Sequence, residues 1–148
     1  MFYGKVLNIR KGDTMVIIED SNIIKEELFS AKEVFQDIRN FLAGRFVGAT
    51  RDDTLLHELI KIIFCHRISK KNNLLIPTDI IELSLFYRNL FEEIKNEFPQ
   101  IFSQDEQILL DPTSIDFVNE ELEKIDIFNL KRDAIGDAYE IFMGDNIK

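Results

Sequence analysis

From Asn22 onward the apolar residues recur at spacings of three and four, and little interrupts them: the 148 residues hold only three prolines and six glycines. Such a pattern puts one stripe of each segment inward as an amphipathic helix. Ser30-Ala31-Lys32-Glu33 has the form of a capping box, in which the serine and the glutamate each satisfy an N–H that the helix cannot. Val34, Phe35, Ile38, Phe41 and Leu42 follow on one face, and Gly44 offers a stop. Thr50-Arg51-Asp52-Asp53 opens a second helix with Leu55, Leu56, Leu59, Ile60 and Ile63 inward. Ile62 and Phe64 widen that stripe, which predicts the most buried helix of the set. Pro77-Thr78-Asp79 begins a third, carrying Ile80, Leu83, Tyr87, Leu90, Phe91, Ile94 and Phe98, and Pro99 ends it. Residues 100–111 read as a connector with a short apolar piece at Ile108-Leu109-Leu110. A fourth helix starts at Thr113-Ser114-Ile115-Asp116 and carries Val118, Leu122 and Ile125. The last begins near Asp133, with Ile135, Ala138, Tyr139 and Phe142, and closes at Gly144.

The first twenty residues follow another period. Leu7 and Ile9 alternate with Asn8 and Arg10, Lys11-Gly12-Asp13 supplies turn residues, and Met15-Val16-Ile17-Ile18 is a second apolar run. A glycine in a short loop between such runs predicts a β-hairpin. The expected fold is therefore mainly α: a single helical domain of five to six helices over residues 21–148, preceded by a short hairpin over 1–20.

At 45% hydrophobic and 30% charged residues the chain can bury a core. Its longest apolar runs, such as Ile62-Ile63-Phe64-Cys65, are far too short to span a membrane. Met1-Phe2-Tyr3-Gly4-Lys5 does not open a secretory signal. A single cysteine, Cys65, excludes an internal disulfide, so the expected compartment is the cytoplasm. The net charge of −9 argues against a freestanding nucleic-acid binder. That charge is unevenly spread. Residues 39–71 hold seven basic side chains against three acidic, whereas residues 72–148 hold six against seventeen. Either all of these are solvated helix faces, or the 39–71 segment turns a local positive face toward phosphates.

Chemistry-bearing motifs are scarce. His57, Cys65 and His66 lie on one predicted helix, but without a CxxC or HxxxH spacing they form neither a zinc site nor a Cys–His nucleophile pair. There is no GxxxxGK[ST] or GxGxxG loop. Asp111-Pro112-Thr113-Ser114 reads as a turn and helix N-cap rather than a catalytic loop. No catalytic residue and no metal ligand is expected.

Two stretches carry a resemblance. One runs from Ile38-Arg39-Asn40-Phe41-Leu42-Ala43-Gly44-Arg45-Phe46-Val47-Gly48-Ala49-Thr50-Arg51-Asp52-Asp53 through Leu55-Leu56-His57-Glu58-Leu59. The other is Asp133-Ala134-Ile135-Gly136-Asp137-Ala138-Tyr139-Glu140-Ile141-Phe142-Met143-Gly144, of the form D-x-x-G-x-A-Y-E. Together they resemble the N-terminal helical region of the modification subunits of type I restriction systems and related adenine-N6 DNA methyltransferases. In that family the D-x-x-G-x-A-Y/F-E segment stands just ahead of the catalytic domain.

The resemblance implies a domain that packs on a catalytic domain of the same protein, helps to enclose duplex DNA, and associates with a specificity subunit and a restriction subunit. It makes Asp133, Gly136, Ala138, Tyr139 and Glu140 candidate docking residues. With the positive segment it makes Arg45, Arg51, Arg67, Lys70 and Lys71 candidates to face DNA. In the family S-adenosylmethionine sits on a glycine-containing strand–loop and an (N/D)PP(Y/F) loop acts on the adenine. This sequence has neither, so no cofactor is expected in this chain, which reads as an excised domain or the product of a truncated gene. The competing reading is a freestanding helical adaptor that binds another protein. A reading frame continuing past Lys148 into those two motifs, or a stop codon there, distinguishes the two.

Overall fold

The computed structural model describes residues 30–45, 52–129 and 132–147, of which all but Ser30 belong to one unit, Ala31–Lys148. Among them are five α-helices and no strand: α1 (Ala31–Arg45), α2 (Asp52–Lys71), α3 (Ile80–Glu97), α4 (Pro112–Leu122) and α5 (Arg132–Ile147), with a 3₁₀ turn at Ile127–Asn129. The mainly helical expectation holds. The hairpin expected over 1–20, the segment 21–29 and Arg51 lie outside the described residues.

Local chemistry explains the helix limits. Asp79 caps α3 through a 3.0 Å bond from Glu82 N–H. Asp111 caps α4, accepting from the Ser114 hydroxyl and amide at 2.6 and 3.3 Å, with Pro112 in the first turn, where its missing N–H costs nothing. At the end of α2, Asn73 adopts φ 54°, Leu74 N–H bonds Ser69 C=O at 2.9 Å, and Asn73 N–H bonds Lys70 C=O at 3.2 Å. This pair of bonds is a Schellman ending, and asparagine tolerates its left-handed residue better than other side chains. Two expected limits shift. Gly44 sits inside α1 and α5 runs past Gly144, because a single glycine weakens a helix without terminating it.

α2 touches α1, α3, α4 and α5, so it is the axis of the fold, as its wide apolar stripe predicted. Its buried apolar residues Leu55, Leu56, Leu59, Ile62 and Ile63 are met by Val34, Phe35, Ile38 and Leu42 of α1 and by Leu83, Leu90, Phe91 and Ile94 of α3 in one core. Phenylalanines fill the angles between elements. Phe102 stands edge-on to both Phe64 and Phe91, and Phe41 of α1 stacks on Phe117 of α4 with centroids 3.9 Å apart. Ala138 and Phe142 bring α5 into the same core.

Because Asn73 holds the left-handed position that ends α2, Asn73→Ala should lower stability by about 1 kcal/mol, whereas Asn73→Gly should be close to neutral. Chemical denaturation of the two variants beside the parent chain checks the difference.

Candidate functional site

The connector between α3 and α4 has no regular structure, yet it is closely held. Glu58 of α2, 2% exposed, turns one carboxylate oxygen to the amides of Leu109 and Leu110, at 2.6 and 3.2 Å. Its other oxygen accepts from Lys61 at 2.6 Å, and Lys61 also donates to Gln107 C=O at 2.7 Å. From α3, Lys95 donates to the carbonyls of Gln104 and Glu106 at 2.8 and 2.9 Å, and Arg88 to those of Ile108 and Leu110. Lys61 and Lys95 each lie 5.7 Å from the centre of the Phe91 ring, close enough for a cation–π contribution. Backbone groups that a strand or helix would satisfy internally are satisfied here by one anion and three cations.

Beside this network lies a shallow cleft of about 620 Å³, lined by Asp53, Thr54, His57, Asp105, Glu106 and Gln107 among others. His57 bonds Glu106 across it. Burial alone would raise the Glu106 carboxyl, but the bonds from His57 and from the Ser103 amide outweigh it and hold the carboxyl below the usual carboxylate range.

A second polar cluster joins α2, α3 and α4. The Tyr87 hydroxyl donates to Asn119 Oδ1 at 2.6 Å, and His66 Nδ1 lies 3.0 Å from the same hydroxyl. His66 Nε2 is 3.5 Å from a Glu123 oxygen, and Lys70 bonds both Glu123 oxygens at 2.8 and 2.7 Å. Burial pushes the His66 imidazole down to about 4, against the pull of Glu123, so it is neutral at pH 7. Burial likewise pushes the Cys65 thiol up, which keeps it protonated and unreactive.

The four DNA-facing candidates among the described residues are not all brought to one face. Arg45 pairs with Asp111 at 2.8 Å and leans on the Phe41 ring; Lys70 pairs with Glu123. Asp111 and Glu123 are the two caps of α4, about 18 Å apart along a helix of that length. Arg67 and Lys71 are exposed on the last turns of α2, near Lys70, and Arg51 lies outside the described residues. Of the other cations in the 39–71 segment, Lys61 is buried against Glu58 and Arg39 pairs with Asp52 at 3.4 Å. The positive charge counted along the sequence is thus partly consumed inside the domain.

The five candidate docking residues divide. Gly136, Tyr139 and Glu140 are all exposed, and their spacing puts them on one face of α5. Ala138 is 1% exposed and belongs to the opposite, core-facing side, so its small size serves internal packing. Asp133 stands in the first turn of α5. No group of His, Cys, Asp and Glu among the described residues could hold a metal ion, and no helix among them is long and apolar enough to cross a membrane.

Reading the sequence missed three of the buried polar residues of α2, Glu58, Lys61 and Ser69. A signal existed: Glu58 and Lys61 stand between Leu55, Leu56, Leu59, Ile62 and Ile63, a stretch too widely apolar for one amphipathic stripe. Set against protein-family models, curated proteins and solved structures, the chain matches none.

Glu58→Ala should cost about 3–5 kcal/mol, because it strands a buried ammonium and two connector amides at once. Glu92→Ala, which removes an exposed partner of Lys95 while leaving it the carbonyls of Gln104 and Glu106, should cost far less. Urea denaturation midpoints give both values. His66 stays neutral in the folded chain down to about pH 4, while in the unfolded chain it takes a proton near 6.5. Between those values the unfolded state holds more protons, so stability falls as pH falls, by about 2 kcal/mol from pH 7.5 to pH 5. His66→Gln should remove most of that slope, as followed by melting temperature across the range.

Proposed function

We propose that this chain is the N-terminal helical domain of an adenine-N6 DNA methyltransferase of the type I restriction–modification kind. In this reading it docks on the catalytic domain through α5 and helps to hold duplex DNA. The observation that carries the reading is the outward face of α5. Gly136 exposes bare backbone, Tyr139 leaves half its surface in solvent (51%), and Glu140 stands beside them. These are three residues of the D-x-x-G-x-A-Y-E segment on which the resemblance rests. Among the described residues nothing requires a glycine at 136: no atom of another element lies within 4 Å of where a Cβ would stand. A glycine in a helix interior costs about 1 kcal/mol relative to alanine, so its use here suits close approach of a second backbone. A tyrosine with one apolar face and one polar tip suits the same interdomain contact.

Methylating adenine in a duplex requires the base to leave the stack, so an arm that holds the duplex has a mechanical role. Arg67 and Lys71, exposed near Lys70, are the cations of this domain best placed to meet phosphates, and such contacts position the duplex without reading its sequence. S-adenosylmethionine and the adenine-binding loop would belong to the catalytic domain. The described residues do not fit that cofactor, since they are helices and connectors with no glycine-containing strand–loop. A specificity subunit would read the target sequence, and a restriction subunit would complete the system.

Gly136 tests the reading. Gly136→Ala should stabilise the isolated chain by up to about 1 kcal/mol. Gly136→Leu should leave the melting temperature of the isolated chain within a few degrees of the parent. In the whole enzyme the same leucine should prevent close docking and lower methyl transfer at least tenfold. An isolated Gly136→Leu chain that collapses, together with an unaffected whole enzyme, would show that α5 serves only the internal core.

A further inference from the structure

Glu123 is shared between the surface and the core. Tyr87 commits its hydroxyl proton to Asn119 Oδ1 at 2.6 Å, so the tyrosine oxygen faces His66 as an acceptor, 3.0 Å from Nδ1. The neutral imidazole therefore carries its proton on Nδ1, and Nε2 turns a lone pair toward Glu123 Oε2 at 3.5 Å. Lone pair against carboxylate is a poor pairing; it becomes a charge-assisted hydrogen bond as soon as Nε2 takes up a proton. Two things oppose that step. The ring is 1% exposed, and the Lys70 ammonium occupies both oxygens of the same carboxylate at 2.8 and 2.7 Å. The charged and titratable groups facing the ring are Lys70 from its own helix, Tyr87 from α3 and Glu123 from α4, with Cys65 held as a thiol behind Tyr87. Lys70 and Glu123 are each more than a third exposed, so a ligand in solvent can reach the ammonium.

We propose that a phosphate of bound DNA, by drawing the Lys70 ammonium away from Glu123, makes His66 easier to protonate. The inference deepens the DNA-holding reading above and rests on it. With the Lys70–Glu123 pair broken, the carboxylate's attraction for a proton on Nε2 is no longer offset by the ammonium. Arg67 and Lys71, exposed close by, receive neighbouring phosphates. Linkage makes the effect reciprocal: if phosphate contact favours protonation, lower pH favours phosphate contact through Lys70.

The imidazole C–H resonances of His66 report this directly in the full 148-residue chain. Their titration is followed in the parent chain, in Lys70→Met and in Lys124→Met, each with and without a 12-base-pair duplex at low ionic strength. The expected midpoint lies near 4 in the free parent chain and rises by about one unit or more in Lys70→Met. Lys124 pairs with Glu121, and its substitution should leave the midpoint in place. Saturating duplex should raise the parent midpoint and add nothing in Lys70→Met. An unmoved midpoint in Lys70→Met, with the amide spectrum showing a folded chain, would overturn the shared carboxylate. Duplex binding seen at other resonances with His66 unmoved would overturn the phosphate link while leaving the DNA reading intact. A shifted midpoint in Lys70→Met with no duplex binding by the isolated chain would overturn the phosphate step, while the docking reading stays under test at Gly136 in the whole enzyme.

Discussion

The Glu58 carboxylate decides where the second half of the domain can go. It sits on the helix that touches every other described helix, and it accepts from two connector amides and one buried ammonium. A buried ion pair adds little net stability over an apolar pair of the same shape, because desolvating both charges offsets most of their attraction. Its effect here is on the path of the chain. Once Leu109 and Leu110 must bring their amides to Glu58, the start of α4 follows directly at Asp111, and α4 is delivered against α1, α2 and α3. Any other path would leave one oxygen of that buried carboxylate without a donor.

Two levels of this organisation differ in how far the sequence expresses them. Helix existence and core faces follow from the spacing of Val34, Phe35, Ile38 and Leu42, or of Leu83, Tyr87, Leu90 and Ile94, since a repeat of three and four has only one inexpensive solution. The caps at Asp79 and Asp111 were legible for the same reason: each is a local bond within a few residues. The polar interior was not. Lys61 looks like any surface lysine until a connector some forty residues later supplies Gln107 C=O, and Lys95 depends likewise on Gln104 and Glu106. Charge counted along residues 39–71 failed as a map of a surface for the same cause. Lys61, Arg39, Arg45 and Lys70 each find an acidic partner, three of them from another helix or its cap. The outward face of α5 was half legible: the spacing that turned Ala138 and Phe142 inward put Tyr139 with them, whereas packing leaves Tyr139 outward beside Gly136 and Glu140.

The functional surfaces of this reading sit on different parts of the domain. The α5 face is bare and structurally undemanding, so it can be shaped by whatever docks there. The end of α2 is the reverse: Lys70 reaches solvent and, through Glu123, touches a histidine, a tyrosine and an asparagine that tie three helices together. A contact made at that end is felt inside the bundle, whereas one made on α5 need not be.

The connector also bears on how the chain meets a protease. Segments without regular structure are the usual places where a folded protein is nicked, because the enzyme must draw several residues into an extended strand. Residues 98–111 form the longest such segment among those described, yet the carbonyls of Gln104, Glu106, Gln107, Ile108 and Leu110 are all bound to side chains of α2 or α3. Drawing this segment out would break those bonds and uncover Lys61 and Glu58 together. The connector should therefore resist cutting better than its lack of regular structure suggests.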